Sequence, residues 1–143
     1  MAGEVLVDAG AWIAISDSRD KHHKAASELY KRLLMERKIL VTTNLVIAEA
    51  YIVIRRTGGH APAMRFLRSI RESARLRRVY SDAALEDDAE QFLDRFSDHD
   101  FSLADAVSFA VMKARGISEA FAFDQHFATA GFGLLPGDAW SMG

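Results

Sequence analysis

Short apolar runs alternate along this chain with longer segments whose apolar residues recur at helical spacing. Runs of the first kind predict strands, and segments of the second kind predict amphipathic helices. Strands are predicted at residues 4–8, 38–42, 76–80 and 119–124. Helices are predicted just after the first strand and at residues 22–38, 44–58, 62–74, 82–96 and 103–115. This order predicts an α/β fold with a central, mostly parallel sheet flanked by helices, in which residues 1–143 form a single domain.

Residues that start and stop helices support these boundaries. Asn44 is a favoured N-cap for the apolar segment that follows it. Gly58 and Gly59 end that helix, and Pro62 is tolerated in the first turn of the next one. Gly116 stops the last long helix. The connections are therefore short, which favours strands that lie side by side.

Four acidic residues occupy positions that such a sheet would bring together. Asp8 and Asp124 each stand at the carboxyl end of a predicted strand, where open α/β sheets bind their ligands. Glu49 lies within the apolar helical segment after the second strand, and Asp105 lies in the first turn of another apolar helix. We expect these four carboxylates to converge on one small pocket.

Each acid also has a purely structural explanation. Asp8 and Asp124 could cap the helices that follow them. Asp105 follows Ser102 at the Ser-x-x-Asp spacing of a capping box. Glu49 is past the capping positions and has apolar neighbours in the sequence, which predicts burial; a hydrogen-bonded structural role is its remaining alternative. All four explanations would have to hold at once for the convergence to be incidental.

Four carboxylates in one pocket repel one another, and a divalent cation is their natural partner. Oxygen ligands suit hard ions such as Mg²⁺ or Mn²⁺, whereas zinc favours histidine and cysteine, and the chain has no cysteine. Its histidines form no ligand pair by spacing, so we expect them to be solvated, with the role of His126 left open. The predicted metal-site residues are Asp8, Glu49, Asp105 and Asp124.

Charged residues are distributed unevenly, although the formal net charge is only −2. Residues 55–78 contain eight arginines and a single acid, whereas residues 81–105 contain nine acids and a single arginine. Arg65 and Arg68 belong to a basic stripe along one predicted helix. A basic surface of this kind fits a polyanion such as RNA, and two solvated helices of opposite charge are the alternative.

The absence of cysteine and the N-terminal sequence bear on the cellular compartment of the protein. The absence of cysteine agrees with a reducing cytosol, and the N-terminal sequence lacks the basic leader of a signal peptide. No segment is long and uncharged enough to cross a bilayer. We therefore expect a cytoplasmic protein without a membrane partner.

Each of the four acids lies in a short motif. In chain order these are Val-Leu-Val-Asp8-Ala-Gly-Ala-Trp-Ile, Asn44-Leu-Val-Ile-Ala-Glu49-Ala-Tyr, Phe101-Ser-Leu-Ala-Asp105-Ala-Val-Ser and Ala122-Phe-Asp124-Gln-His-Phe. The ordered set resembles the acidic motifs of PIN-domain ribonucleases, particularly the VapC-type toxins of toxin–antitoxin pairs. The resemblance implies a PIN-like domain and a Mg²⁺- or Mn²⁺-dependent endoribonuclease that hydrolyses RNA phosphodiester bonds. It also implies a homodimer, a cognate antitoxin, and catalytic, metal-binding roles for Asp8, Glu49, Asp105 and Asp124, with Asp100 as an accessory acid.

The chain departs from the family pattern at two positions. Gly10 stands where the family often has Ser, Thr or Asn, and Ala122 stands where it often has Thr or Ser. The loss of these polar groups leaves open a PIN-like module that binds RNA or an antitoxin without cutting. A receiver-like signalling domain also gathers acids and Mg²⁺ on a parallel sheet, but this chain has no acid pair after its first strand and no strand-end lysine.

Overall fold

The computed structural model of the protein describes residues 3–137, which form five strands and seven helices. In chain order these are β1 (Glu4–Val7), α1 (Ala9–Ser16), α2 (His23–Met35), β2 (Ile39–Thr43), α3 (Asn44–Gly58), α4 (His60–Glu72), β3 (Leu76–Val79), α5 (Ala83–Arg95), α6 (Leu103–Arg115), β4 (Glu119–Phe121), α7 (His126–Thr129) and β5 (Gly133–Leu135).

All five strands form one parallel sheet in the order β3-β2-β1-β4-β5. The central strand β1 pairs with β2 through Val5 opposite Leu40, and with β4 through Val7 opposite Phe121. Because β2 lies on one side of β1 and β4 on the other, the chain changes its direction of progress across the sheet at β1. Such a switch point opens a crevice at the carboxyl ends of the strands. The predicted α/β fold is confirmed.

Helices cover both faces of the sheet. On one face, α1 to α4 pack over side chains that include Val5, Val7 and Trp12. On the other face, α5, α6 and α7 pack over side chains that include Leu6 and Val41. Successive β1 residues alternate between the two faces because the side chains of a strand repeat every two residues. We name the face covered by α1 to α4 the α1–α4 face, and the face covered by α5, α6 and α7 the α5–α6 face.

Trp12 joins α1 to the sheet. Its indole N–H donates to Thr42 Oγ1 at 3.2 Å, and the Thr42 hydroxyl donates to the carbonyl of Val7 at 3.0 Å. Trp12 and Thr42 are both buried, so these bonds satisfy polar groups that water does not reach. Together they fix the turn between β1 and α1, which carries Asp8.

The predicted end of α3 is confirmed, but its predicted N-cap is wrong. The helix stops before Gly59, whose φ of 93° suits glycine. The N-cap is Thr43 rather than Asn44, because the Thr43 hydroxyl accepts from the Val46 N–H at 3.1 Å. Asn44 Oδ1 instead accepts from the Ser81 N–H at 2.8 Å, which ties the start of α3 to the segment after β3.

The sheet contains one strand that the sequence did not predict. Residues 119–124 were expected to hold the last strand, but β5 follows and pairs with β4 at the sheet edge. A three-residue strand shows no measurable period, which explains why it was missed.

The sequence also bears on membrane-spanning helices and on the number of domains. No helix within residues 3–137 has the length and apolar character needed to cross a membrane. The single-domain assignment for residues 1–143 stays a prediction.

Candidate functional site

Asp8 follows the central strand β1 and is almost completely buried, with 5% of its surface exposed. It stands at the N-cap position of α1, yet its side chain makes no capping hydrogen bond. Burial raises the pKa of Asp8 from 3.8 to about 7; the Asp124 charge adds to the rise, and a hydrogen bond from the Ala9 backbone opposes it. The Ala9 bond favours the charged carboxylate, but burial and the neighbouring acids outweigh it.

Asp124 follows β4, the strand next to β1, and its side chain is exposed. Its Oδ1 accepts from the His126 N–H at 3.0 Å, but the N-cap of α7 is Gln125, so Asp124 holds the turn before the helix and the predicted cap is wrong. Asp124 is also the neighbouring charge with the largest effect on the pKa of Asp8. The two carboxylates at the ends of adjacent strands thus interact as the sequence predicted.

Asp105 lies in the first turn of α6 and is buried, with 7% exposed. The predicted capping box is present, because the Ser102 N–H donates to Asp105 Oδ2 and the Asp105 N–H donates to Ser102 Oγ, both at 3.0 Å. Asp105 Oδ2 also accepts from His126 Nδ1 at 2.8 Å. These bonds engage Oδ2 rather than Oδ1, so capping and ion binding are compatible roles for this side chain.

Glu49 is exposed, and the expectation that it is buried is wrong. Helix α3 directs Val46, Ile47 and Ala50 inward and Ala48 and Glu49 outward. Partial desolvation, followed by the charges of two other acids, nevertheless raises the pKa of Glu49. Those two acids are Asp105 and Asp124. Glu49 therefore reaches solvent at the edge of the acidic group rather than inside the core.

The four predicted acids interact with one another in the folded chain. Three of them, Asp124, Asp105 and Glu49, each raise the pKa of Asp8. Asp100 is exposed in the loop before α6 and is not among the charges that raise it. The charges of four acids from four separate elements thus act on one another, and the accessory role of Asp100 stays a prediction.

His126 joins this acidic group, although the sequence left its role open. Besides its bond to Asp105, its Nδ1 lies 3.9 Å from Asp124 Oδ1. Desolvation lowers the pKa of His126, but the Asp105 hydrogen bond and the charges of Asp124, Asp105 and Asp8 outweigh it and leave the pKa raised. The expectation of solvation is also wrong for His23, whose Nδ1 donates to the carbonyl of Ala14 at 2.7 Å.

The acidic group fits a hard divalent cation by the chemistry of its donors. Its ligand atoms are carboxylate oxygens, which Mg²⁺ and Mn²⁺ prefer. Asp8 carries the strongest evidence, because its buried carboxyl would be kept charged by an adjacent cation. Between residues 3 and 137, no three acidic or histidine side chains are close enough to hold one ion as they stand. Binding would therefore draw the carboxylates closer together.

Arg65 and Arg68 both lie exposed on α4. This helix packs against α3, which carries Glu49. The stripe that contains them is solvent-facing, as the sequence predicted. Its function stays a prediction.

Comparison with known proteins agrees with the fold. The sequence profile described as PIN domain matches residues 5–133. The 23S rRNA-specific endonuclease VapC20, known from two Mycobacterium tuberculosis strains, is 34% identical over 128 residues, which cover 90% of this chain and 95% of that protein. The crystal structure of M. tuberculosis VapC20, a Sarcin-Ricin loop cleaving toxin, matches with a TM-score of 0.81 over the same shares of the two chains. The chain therefore belongs to the PIN-domain family and, within it, resembles the VapC-type endonuclease toxins over nearly its whole length.

Proposed function

We propose that this chain is a metal-dependent endoribonuclease that hydrolyses RNA phosphodiester bonds and acts as the toxin of a toxin–antitoxin pair. The observation that carries the proposal is the state of Asp8. It is buried at the switch point of the sheet, and its pKa is raised to about 7 by burial and by three other acids. A stable fold has no need of such a carboxyl, whereas a cation site does.

Four side chains would hold the ion or ions, namely Asp8, Glu49, Asp105 and Asp124. A bound Mg²⁺ or Mn²⁺ would lower the pKa of a water molecule and stabilise the charge that develops on the phosphate. His126 positions Asp105 by donating to its Oδ2. The capping box holds the same oxygen through the Ser102 N–H, so the second carboxylate oxygen of Asp105 has a defined direction.

The substrate class follows from the relatives. Both VapC20 proteins are named as 23S rRNA-specific, and the solved one is described as cleaving the Sarcin-Ricin loop. We extend this to the present chain as cleavage within a structured ribosomal RNA loop. The exposed arginines Arg65 and Arg68 would contact phosphates, which gives affinity without sequence information.

Two protein partners complete the proposal, a cognate antitoxin that blocks cleavage in the cytoplasm and a second copy of this chain. The second copy fits an open groove of about 370 Å³ between α3 and α4. The groove is lined mainly by apolar side chains, including Ile47, Tyr51, Ile52 and Leu67, and Ile52 is 53% exposed. A two-fold axis would let this patch cover itself in the partner. A monomeric mass in solution would contradict the assignment.

A catalytically inactive PIN-like module is the second candidate, because Gly10 and Ala122 replace polar residues that are frequent in the family. It retains all four acids, so it would bind a cation without cutting RNA. The receiver-like alternative is not compatible with membership of the PIN-domain family.

Substitution of Glu49 by glutamine tests the proposal. Glu49→Gln keeps the shape of an exposed side chain and removes its charge, so the protein should fold normally and lose cleavage by roughly tenfold to 100-fold or more. The measurement is cleavage of a ribosomal RNA stem-loop with Mn²⁺ and with chelator. Glu90→Gln, an exposed acid on α5, is the matched control. Full activity in folded Glu49→Gln would remove this residue from the site, and wild-type protein without cleavage would favour the inactive module.

A further inference from the structure

Two histidines near the acidic group lie flat against phenylalanines. His22, just before α2, stacks on Phe123 with 4.3 Å between ring centroids and 6° between ring planes. Phe123 directly precedes Asp124, so this stack adjoins one of the four acids. His22 is half-buried, because Phe123 covers one side of its ring. The sequence predicted that this histidine is solvated and suggested no role for it.

The second stack belongs to the loop before α6. The exposed His99 lies over Phe101 with 5.5 Å between centroids and 15° between planes. Phe101 in turn meets His126 edge to face at 5.4 Å, and His126 is bonded to Asp105. This stack therefore connects directly to the acidic group.

The two stacks lie on opposite sides of the sheet. Phe123 packs against the core of the α1–α4 face, whereas Phe101 belongs to the core of the α5–α6 face. Asp8 stands between these faces, at the end of the central strand. The acidic group is thus flanked by one His–Phe stack on each side.

We propose that His22 on Phe123 and His99 on Phe101 are stacking platforms that bind unpaired nucleobases of the RNA on either side of the cleaved phosphate. The inference rests on the proposed ribonuclease function and adds the elements that recognise the substrate. Each phenylalanine lies nearly parallel to its imidazole, Phe96 also meets the His99 ring at 5.9 Å and 58°, and a base would cover the ring face that these side chains leave open. A base stacks on such a face whatever its sequence, because every nucleobase has one.

This role differs from that of the arginines. A platform contacts the face of a base, whereas Arg65 and Arg68 would contact phosphates. Loss of a platform should therefore weaken binding without changing its dependence on salt, since no counterion release is lost. Loss of the arginines should weaken binding and also change its dependence on salt.

The experiment measures the affinity of the full chain for a fluorescently labelled RNA stem-loop with unpaired loop bases, by anisotropy in EDTA. His22→Ala and His99→Ala should each weaken binding by roughly tenfold, with an unchanged salt slope. His22→Tyr and His99→Tyr restore an aromatic face and should bind within about twofold of wild type. His22→Leu and His99→Leu keep bulk without that face and should bind as weakly as the alanine variants.

Controls separate stacking from folding. His60→Ala removes an exposed histidine at the start of α4 that contacts Arg55 and should bind as the wild type does. A thermal melt of each variant identifies any loss of fold, and His99, being exposed, provides a substitution that the fold tolerates. A stem-loop with abasic residues in its loop should bind wild type as weakly as the intact RNA binds the His22→Ala/His99→Ala double variant.

The outcomes distinguish this inference from the proposed function. One outcome is that wild type cuts RNA with Mn²⁺ while the alanine or leucine variants bind as tightly as the tyrosine variants. That result contradicts the stacking role of the histidines and leaves the proposed nuclease function intact. If wild type binds RNA in EDTA but never cuts it, the nuclease is wrong, and the platforms are judged by the binding series alone. If wild type neither binds RNA in EDTA nor cuts it with Mn²⁺, both proposals are contradicted.

Discussion

Asp8 has the most unusual environment of the four acids, and its titration should be visible in the stability of the protein. Its pKa of about 7 exceeds the ordinary value of 3.8. The folded chain therefore keeps a proton between these pH values that the unfolded chain releases. Stability from this group is fully present below about pH 4 and is lost as the pH rises through 7.

We expect wild type in chelator to lose stability between pH 5 and pH 7.5 relative to Asp8→Asn, which cannot titrate there. The full shift corresponds to at most about 4 kcal/mol. The other titrating groups that face Asp8 are Asp124, Asp105, Glu49 and His126, and they are common to both proteins. Urea unfolding at the two pH values measures the difference. A difference between the two proteins that does not change with pH would show that Asp8 is ionised throughout.

Gly10 offers a gain-of-function test. A Cβ atom at this position would meet no atom within 4 Å, so a serine fits in α1 without displacing a neighbour. Gly10→Ser and Gly10→Ala should both stabilise the helix by about 0.5–1 kcal/mol. Only the serine supplies a hydroxyl near Asp8, so only Gly10→Ser should increase cleavage with Mn²⁺. Equal cleavage rates in the two variants would show that the missing hydroxyl does not limit activity.

For individual residues, the sequence predicted which acids interact but not which contacts hold each carboxylate. Adjacent strand ends explain why Asp8 and Asp124 were found. The exposure of Glu49 was missed because apolar neighbours in the sequence do not reveal which side of a helix faces the sheet. His126 was missed because its contact with Asp105 joins two elements, and no local pattern records such a contact.

Among the elements, α4 is rich in arginine and α5 is rich in acidic residues. The α4 arginines Arg65, Arg68 and Arg71 are exposed, whereas Asp82 is the N-cap of α5 and its side chain accepts from the Leu85 N–H. The acidic residues of α5 thus include a conventional helix cap. The basic stripe of α4 has no comparable local purpose, which makes it the better candidate for contact with a polyanion.

Replacement of Arg65 and Arg68 together by alanine should weaken RNA binding and flatten its salt dependence. Two lost phosphate contacts should reduce the slope of log K against log salt by roughly 1.4–1.8. Anisotropy titrations at several salt concentrations measure this slope. Lys31→Ala/Lys113→Ala, which removes two exposed lysines from α2 and α6, is the charge-matched control. An unchanged slope in the arginine variant would assign the stripe to solvent or to the antitoxin.

Element boundaries were predictable where a residue acts through its own backbone. Glycine ended α3 and α6 as expected, because a left-handed conformation is a property of one residue. The start of α3 was less certain, because Thr43 and Asn44 are both good caps. Tertiary structure decided between them, since Asn44 is engaged by Ser81 across the chain.

For the whole molecule, the position of the site follows from the strand order. Only the parallel arrangement β2-β1-β4 places the ends of β1 and β4 side by side at the switch point. The alternation of strands and helices predicted a parallel sheet, but it did not predict the order of the strands. The edge strand β5 was not predicted, because it contributes only three residues and no acid.

Metal binding should stabilise the whole fold. At a hundredfold excess over its Kd, a ligand of the folded state adds about 2.7 kcal/mol, which corresponds to a rise in Tm of roughly 5–10 °C. Asp124→Asn keeps the oxygen that accepts from His126 and removes the charge. It should therefore melt at or above the wild-type temperature in chelator and gain less from Mn²⁺.

Thermal melts in chelator and in Mn²⁺ measure both quantities. Asp87→Asn, an exposed acid on α5, should gain as much from Mn²⁺ as the wild type does. If Asp124→Asn melts clearly lower in chelator and gains the full increment from Mn²⁺, Asp124 is only a turn residue.

The pairing of β4 with β1 also sets when the site comes into existence during synthesis. The ribosome makes Asp8 well before Asp124, because 115 residues lie between them in the sequence. Until β4 has emerged and docked beside β1, the carboxylate with the largest effect on Asp8 is absent. A nascent chain therefore lacks the complete group of four acids until β4 has been made and has paired with β1.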